Sequence, residues 1–355
     1  MFMSTREAKS GARTQGARSK KARAAGLDTA VAVGLPGAAS GLPREHVSEI
    51  QRMRILMAMA EVASELGAGS VTVAHVVSRA GVSRRTFYDL FADREECFLA
   101  AFEEAIGRVS ALVVEAHEGE NTWRERIRAG LWALLQWLDE DRATARLCVV
   151  ESLAAGPRVL ERRAVVLRAL VRVVDEGRGA AGAGPGVRRK AASLPPLTAE
   201  GVVGAVLSVI HTRLCEPKTT PLTGLLGELM GIVVLPYQGQ AAAEKELGKP
   251  APQLQPKPHP ASRDPLEGLD MRITYRTVRV LMTIAEHPDA SNRRVASEAG
   301  ISDQGQVSKL LARLEHLGLV YNRGIGPVKG APNAWQLTAR GRHVEQAIRV
   351  QTTPR

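Results

Sequence analysis

The stretch TVAHVVSRAGVSRRTFYDLFADREECF, residues 72–98, decides how this chain is read. Thr72 is a hydroxyl residue placed to cap a short helix whose buried face is Val73, Val76 and Val77. Gly81 follows where a left-handed turn is cheap. Ser83 then caps a second short helix carrying Arg84, Arg85, Thr86, Phe87, Tyr88 and Phe91. Phe87 and Phe91 lie four apart and face inward, which leaves Arg84, Arg85, Thr86 and Tyr88 outward at the amino end. Helix, glycine turn, helix is the arrangement whose second helix enters the major groove of DNA.

The outward residues have the chemistry for that task. Arginine holds a guanine edge bidentately, threonine meets a thymine methyl, and a tyrosine hydroxyl bonds a phosphate. Asp89 puts an acid on the same face, where it either accepts from a cytosine amine or repels phosphate. Arg94 opens the next helix, where backbone amides and a cation together suit a phosphate. The pattern T-V-x-x-V-x-x-x-A-G-V-S-x-x-T-F-Y-x-x-F-x-x-[KR]-E resembles the DNA-binding domain of the tetracycline-repressor (TetR) family. By that resemblance Thr72, Thr86, Tyr88 and Arg94 occupy DNA-contacting positions. Leu90 departs from it, because many members carry His before the second Phe.

Upstream, Met53, Leu56, Met57, Ala60 and Ala63 recur at helical spacing and stop at Gly67, which predicts a helix over 45–66. Residues 45–96 hold six basic and eight acidic residues, so this head grips DNA through directed contacts rather than bulk charge. The net charge of +11 sits at the two ends of the 355-residue chain. Residues 1–44 carry eight basic against two acidic residues, and 266–355 carry thirteen against eight. A basic, apolar-poor arm over 1–44 either concentrates the protein on polyanions or serves as a solubilising tail. Composition alone does not separate the two.

Residues 101–240 read as helix throughout, with breaks at Gly119, Gly156-Pro157, the Gly-rich 177–187 and Pro195-Pro196. Segments such as GLWALLQWLDED and RAVVLRALVRVV are apolar on more than one face, which predicts burial between other helices. The resemblance implies that the last two helices, Thr198–Leu214 and Pro221–Leu235, form a four-helix bundle with a second copy. Gly201, Gly204, Ala205 and Gly231 would let those helices approach closely. The resemblance also implies a small-molecule effector held among these helices. His117, Trp132, Trp137, Cys148 and His211 are the candidate lining residues, each more readily read as plain core or a satisfied polar group. GAAGAGPG lacks a GKS or GKT ending and a preceding strand, so it reads as a connection between helices.

Prolines at 250, 252, 256, 258, 260 and 265 mark residues 241–265 as an extended interdomain linker. Beyond it, Val278, Leu281, Met282 and Ala285 form the inward face of a helix over 273–286. Ser291 caps a second helix, Gly300 turns the chain, and Ser302 caps a longer one that buries Val307, Leu310, Leu311, Leu314 and Leu317. Leu319–Tyr321 and Ala334–Leu337 are short strand candidates around a Gly/Pro loop carrying Arg323 and Lys329, and Thr338 caps a last helix. Three helices followed by a basic hairpin is a winged helix-turn-helix. The L-x-x-L-x-x-L-G-L-V and L-T-x-x-G segments resemble MarR-like modules. Gln304, Gln306, Ser308, Lys309 and Arg313 are its outward polar positions, and Trp335 reads as the wing's hydrophobic anchor.

The fold expected is mainly α: a basic arm over 1–44, a TetR-like head over 45–100, an effector and dimerisation domain over 101–240, the linker over 241–265, and a winged helix over 266–350. The expected function is a sequence-specific DNA-binding transcription regulator, a homodimeric ligand-responsive repressor paired through 198–235. Its alternative is a DNA-bridging or partner-recruiting protein in which the winged helix docks protein. No G-x-S-x-G, Walker loop, H-E-x-x-H or metal-spaced Cys/His set is present, so no catalytic residue, metal site or cofactor is expected. Cys97, Cys148 and Cys215 lie far apart, which argues against a disulfide framework. The longest apolar runs, Gly201–Ile210 and Leu222–Pro236, fall short of the ~20 residues a bilayer demands, and the amino terminus lacks an apolar signal core. A cytoplasmic, nucleoid-associated location is therefore expected.

Overall fold

The computed structural model describes residues 44–180, 191, 193–216, 220–252, 274–324 and 332–350; the side chains of 44–46, 347 and 350 are not among those described. The basic arm, most of the Gly-rich stretch, the greater part of the linker and the hairpin loop with Lys329 lie outside the described residues.

The amino-terminal part runs α1 (Arg44–Leu66), α2 (Val73–Ala80), α3 (Arg84–Leu90) and α4 (Arg94–His117). α2, α3 and α4 each start where a side chain satisfies an orphan amide. Thr72 accepts from the His75 N–H, Ser83 from Thr86 and Asp93 from Glu96. Gly81 ends α2 at φ 63°, a left-handed conformation that a side chain would strain. The expected boundary near residue 100 falls inside α4. This helix of 24 residues belongs to the head and to the helical region at once, so the two share a single hydrophobic core.

That region continues as α5 (Trp123–Glu140), α6 (Arg142–Val149), α7 (Pro157–Asp175), α8 (Thr198–Cys215), α9 (Leu226–Gln238) and α10 (Gln240–Leu247). Trp123, Leu135, Leu138, Leu147, Ile210, Leu229 and Met230 fill its interior. The expectation that RAVVLRALVRVV is buried on several faces does not hold. On α7 only Val159 is fully buried, and Leu160, Val165 and Leu170 are exposed, because the helix lies on the outside with α8 beneath it.

The linker does not begin at 241: residues 240–247 are helix, since AAAEKEL is rich in strong helix formers and the prolines start only at 250. Nor is Gly231 free to meet a second copy. It is buried, and a Cβ there would touch Leu247 of α10 at 3.5 Å, while one on Gly227 would come within 3.3 Å of the Glu246 and Leu247 carbonyl oxygens. α10 thus covers the small-residue face of α9. Its anchor is a buried ion pair, Arg128 Nη1 to Glu246 Oε2 at 2.7 Å, with Arg128 Nη2 donating to the carbonyls of Lys249 (3.1 Å) and Pro250 (3.0 Å).

The carboxy-terminal part comprises α11 (Tyr275–Glu286), α12 (Asn292–Glu298), α13 (Gln304–His316), β1 (Val320–Asn322), β2 (Trp335–Leu337) and α14 (Ala339–Val350). The strands are antiparallel with Val320 opposite Leu337, and Ala290 adds a bridge to Trp335. α13 is capped by Asp303 rather than Ser302: its carboxylate accepts from the Gly305 and Gln306 amides, which hold it below the usual carboxylate range. A second hydrophobic core forms around Val278, Leu281, Val307, Leu311, Leu314 and Trp335. Val47 and Ile50, from the first turns of α1, belong to this core.

Candidate nucleic-acid interface

The cap of α3 and the fold of the turn before it decide which side chains face outward. Ser83 Oγ accepts from the Thr86 amide at 3.0 Å and lies 2.8 Å from the Thr86 hydroxyl, so both residues are half-buried at the helix start. Phe87 is fully buried and tilts against Phe91. Arg84 and Arg85 are exposed, and Tyr88 is 57% exposed with its ring edge-on to Phe87 at 5.4 Å. Asp89 is exposed and lies 3.9 Å from Arg85 across one turn, a solvated pair worth little by itself. One short helix therefore presents Arg84, Arg85, Tyr88 and Asp89 together on an open face, with Thr72 exposed at the start of α2.

Arg94 is placed differently from the expectation. Its Nη1 donates to the Ala68 carbonyl at 2.6 Å and reaches the Val71 carbonyl at 3.4 Å, clamping the turn that leads into α2. Arg79 plays a similar part on the other flank. It pairs with Glu65 and Glu61, and those bonds raise its own pKa and lower that of Glu65.

In the carboxy-terminal part, α13 exposes Gln304, Gln306, Ser308, Lys309 and Arg313 along one side. Gln306 Oε1 accepts from Arg276 at 2.8 Å and Ser308 Oγ from Asn292 at 3.1 Å. Arg323 is exposed at the end of β1, its amide held by the Ala334 carbonyl at 2.7 Å. Trp335 is buried, and its indole N–H donates to Asn292 Oδ1 at 2.7 Å, tying the hairpin to α12. The same oxygen receives Asn333 at 2.9 Å.

The five suggested effector-lining residues are not brought together. His211 lines a cleft of about 1060 Å³ between α7 and α8. The other four do not line it. His117 is half-buried over Gly130, its pKa lowered by burial and by Arg126. Trp132 packs half-buried at the core's edge, and Trp137 is buried. Cys148 is also buried, and desolvation pushes its thiol up to about 12, so it stays neutral. The cleft is apolar along Leu167, Val171, Val203 and Leu207, and carries Arg163, Arg168 and Arg172 from α7. Burial lowers the pKa of Arg163, the signature of a partly desolvated cation. The α7 arginines escaped the sequence reading; the signal available was their recurrence on a helix otherwise apolar all round.

A chain of polar contacts links the end of α8 to the head. Arg146 donates to the Leu214 carbonyl at the end of α8 (2.6 Å) and lies 3.5 Å from Glu151 Oε1. Glu151, buried in the 3-10 turn between cleft residues Val149 and Leu153, accepts from the Ala68 amide at 2.8 Å. Ala68 is the residue whose carbonyl Arg94 holds. Sequence gives no hint of this link, since its members lie 83 residues apart.

Residues 55–101 match the model of bacterial regulatory proteins of the tetR family. Over 118 residues the chain is 26% identical to the HTH-type transcriptional activator FasR of Mycolicibacterium smegmatis (strain ATCC 700084 / mc(2)155), a match covering 33% of this chain and 52% of that protein. The chain thus spans about half the length of this curated relative. Among solved structures, the fatty acid degradation regulator FadR of Bacillus halodurans aligns at a TM-score of 0.44 and 19% identity, over 51% of this chain and 96% of that one. FadR of Bacillus subtilis in complex with stearoyl-CoA aligns at 0.42 and 19% identity, over 53% and 98%. None of the helices among the described residues is long and apolar enough to cross a membrane.

Proposed function

We propose that this chain, a tetR-family transcription regulator with a helix-turn-helix DNA-binding head, works as a homodimeric, ligand-responsive repressor with a second, winged-helix DNA reader. One observation carries the reading: α3 holds Arg84, Arg85 and Tyr88 outward on a capped helix whose other face, Phe87 and Phe91, is locked in the core. Arg84, Arg85 and Thr86 read base edges, while Thr72, Ser83 and Tyr88 position phosphates, and Asp89 selects against bases that cannot donate to it. In the second reader α13 enters the groove with Gln304, Gln306, Ser308, Lys309 and Arg313, and Arg323 at the end of β1 meets an adjacent phosphate.

Pairing of two copies is supported by the outer faces of α8 and α9. Gly201 and Ala205 are exposed on α8 outside the cleft lining, and Leu235 is exposed on α9. Two heads would then meet two half-sites of an inverted repeat. The effector is an amphipathic anion, with its apolar body along Leu167, Val171 and Val203 and its charge on the α7 arginines. A ligand seated there moves Val149 and Leu153, which flank Glu151, and so shifts the Ala68 turn that sets the head's orientation. The response requires that the ligand prefer one of two head positions.

Titrating a bound DNA complex with alkyl carboxylates of increasing length, beside the matching alcohols, tests this. Release by the acids but not the alcohols, lost in Arg163→Ala, is the expected result. Equal release by the alcohols removes the anionic end from the reading. If carboxylate instead strengthens binding and raises transcription, the chain is an activator, as the name of its FasR relative has it.

A further inference from the structure

We infer that the carboxy-terminal module is docked on α1, so that its reading helix and that of the head stand at one fixed spacing. This rests on the reading that both modules contact DNA. The observation is that a single helix enters two cores. Val47 (2% exposed) and Ile50 (3% exposed) of α1 are buried in the carboxy-terminal core, whereas from Ile55 onward α1 fills the core of the head. From Ile50 to Ile55 the two sets are separated by about one and a half helical turns, ~8 Å of stiff helix.

α11 shows the same contact from the other side. A first helix serving only its own module would leave one face open, and the sequence predicts burial on one side alone. Instead Thr277, Val278, Val280, Leu281, Met282, Thr283 and Ile284 are all buried, an arc wider than a single face, with Arg276 and Glu286 exposed on the remainder. The additional face packs on α1. α11 in turn packs against α12, α14 and β2, while α1 packs against α2 and α3. Both reading helices are therefore referred to one rigid rod.

The alternative is that only the chain between the modules limits their separation. Residues 253–273 fully extended would span up to ~70 Å, or ~20 base pairs of DNA. Such a tether permits many spacings and orientations of the second DNA element; docking permits one. It also sets the second reader at a higher effective concentration on its site than a tether would.

The test selects bound sequences from a random DNA library with the full chain and measures the spacing between two elements. The element lost in Arg84→Ala is assigned to α3, and that lost in Lys309→Ala to α13. Docking predicts one dominant spacing. It also predicts that the spacing survives insertion of about twenty Gly/Ser residues after Gln255. In Ile50→Glu, where a carboxylate would have to enter the shared core, both elements should persist but their spacing should spread. Affinity for the composite site should then fall by tenfold or more. Ile50→Leu serves as the folding control and should keep the single spacing. Many spacings in the unmodified chain, or spreading caused by the insertion alone, overturn docking while leaving two readers in place. A single element in the unmodified chain overturns the two-reader reading and the inference with it.

Discussion

Tyr88 is exposed with its ring edge-on to Phe87, and the role proposed for its hydroxyl is one hydrogen bond to phosphate. Tyr88→Phe keeps the ring and removes the hydrogen bond, so DNA affinity should drop by about 1 kcal/mol, roughly fivefold, in an equilibrium titration. No change would remove Tyr88 from the contact set. The residues of α3 were legible in the sequence because their placement is local. Thr72, Gly81 and Ser83 set the helix limits, and two phenylalanines four apart fix which face is inward. Arg94 was not legible. A cation at a helix start looks the same in sequence whether it meets phosphate or, as here, the carbonyl of a residue 26 positions away.

Between elements, Glu151 and Arg128 each connect parts of the molecule that the sequence keeps far apart. Glu151→Ala strips the buried Ala68 amide of its acceptor, which should cost about 1–3 kcal/mol of stability, read as a lower urea midpoint at unchanged m. The same substitution should weaken the effect of effector on DNA affinity; a variant as responsive as the parent would show that the head is moved by another route. Arg128→Ala leaves Glu246 buried with only the more distant Arg124, 3.5 Å away, and should destabilise by about 3–5 kcal/mol. Replacing both partners, Arg128→Met with Glu246→Leu, should cost much less, and equal losses in single and double variants would contradict the ion-pair account. Apart from α10, which was read as linker, helix existence was legible at this scale, since caps and apolar spacing are local signals. The packing of α10 on α9 was not, because a proline-rich neighbourhood suggests a tether while the helix-forming AAAEKEL is decided only by its contact with Arg128 and Gly227. The outer position of α7 was misread for a related reason: an apolar face looks the same whether it meets a core, a ligand or a second copy.

For the whole molecule, the charge at the two ends determines how binding responds to salt. The head is slightly acidic, so a deletion of residues 1–26, which removes seven cations, should flatten the dependence of log affinity on log salt by up to ~6. An unchanged slope would mean that the arm never meets phosphate. That the described residues form two hydrophobic cores was readable from apolar helical spacing on either side of the prolines. Their connection through α1 was hidden, because Val47 and Ile50 continue the same helical spacing that serves the head. Reading of DNA sequence by α3 is tested by selecting genomic fragments with the purified chain beside Arg84→Ala/Tyr88→Phe. Inverted-repeat sites recovered by the parent and lost in the variant are the predicted result; the same sites recovered by both, or no common sequence from the parent, would contradict it.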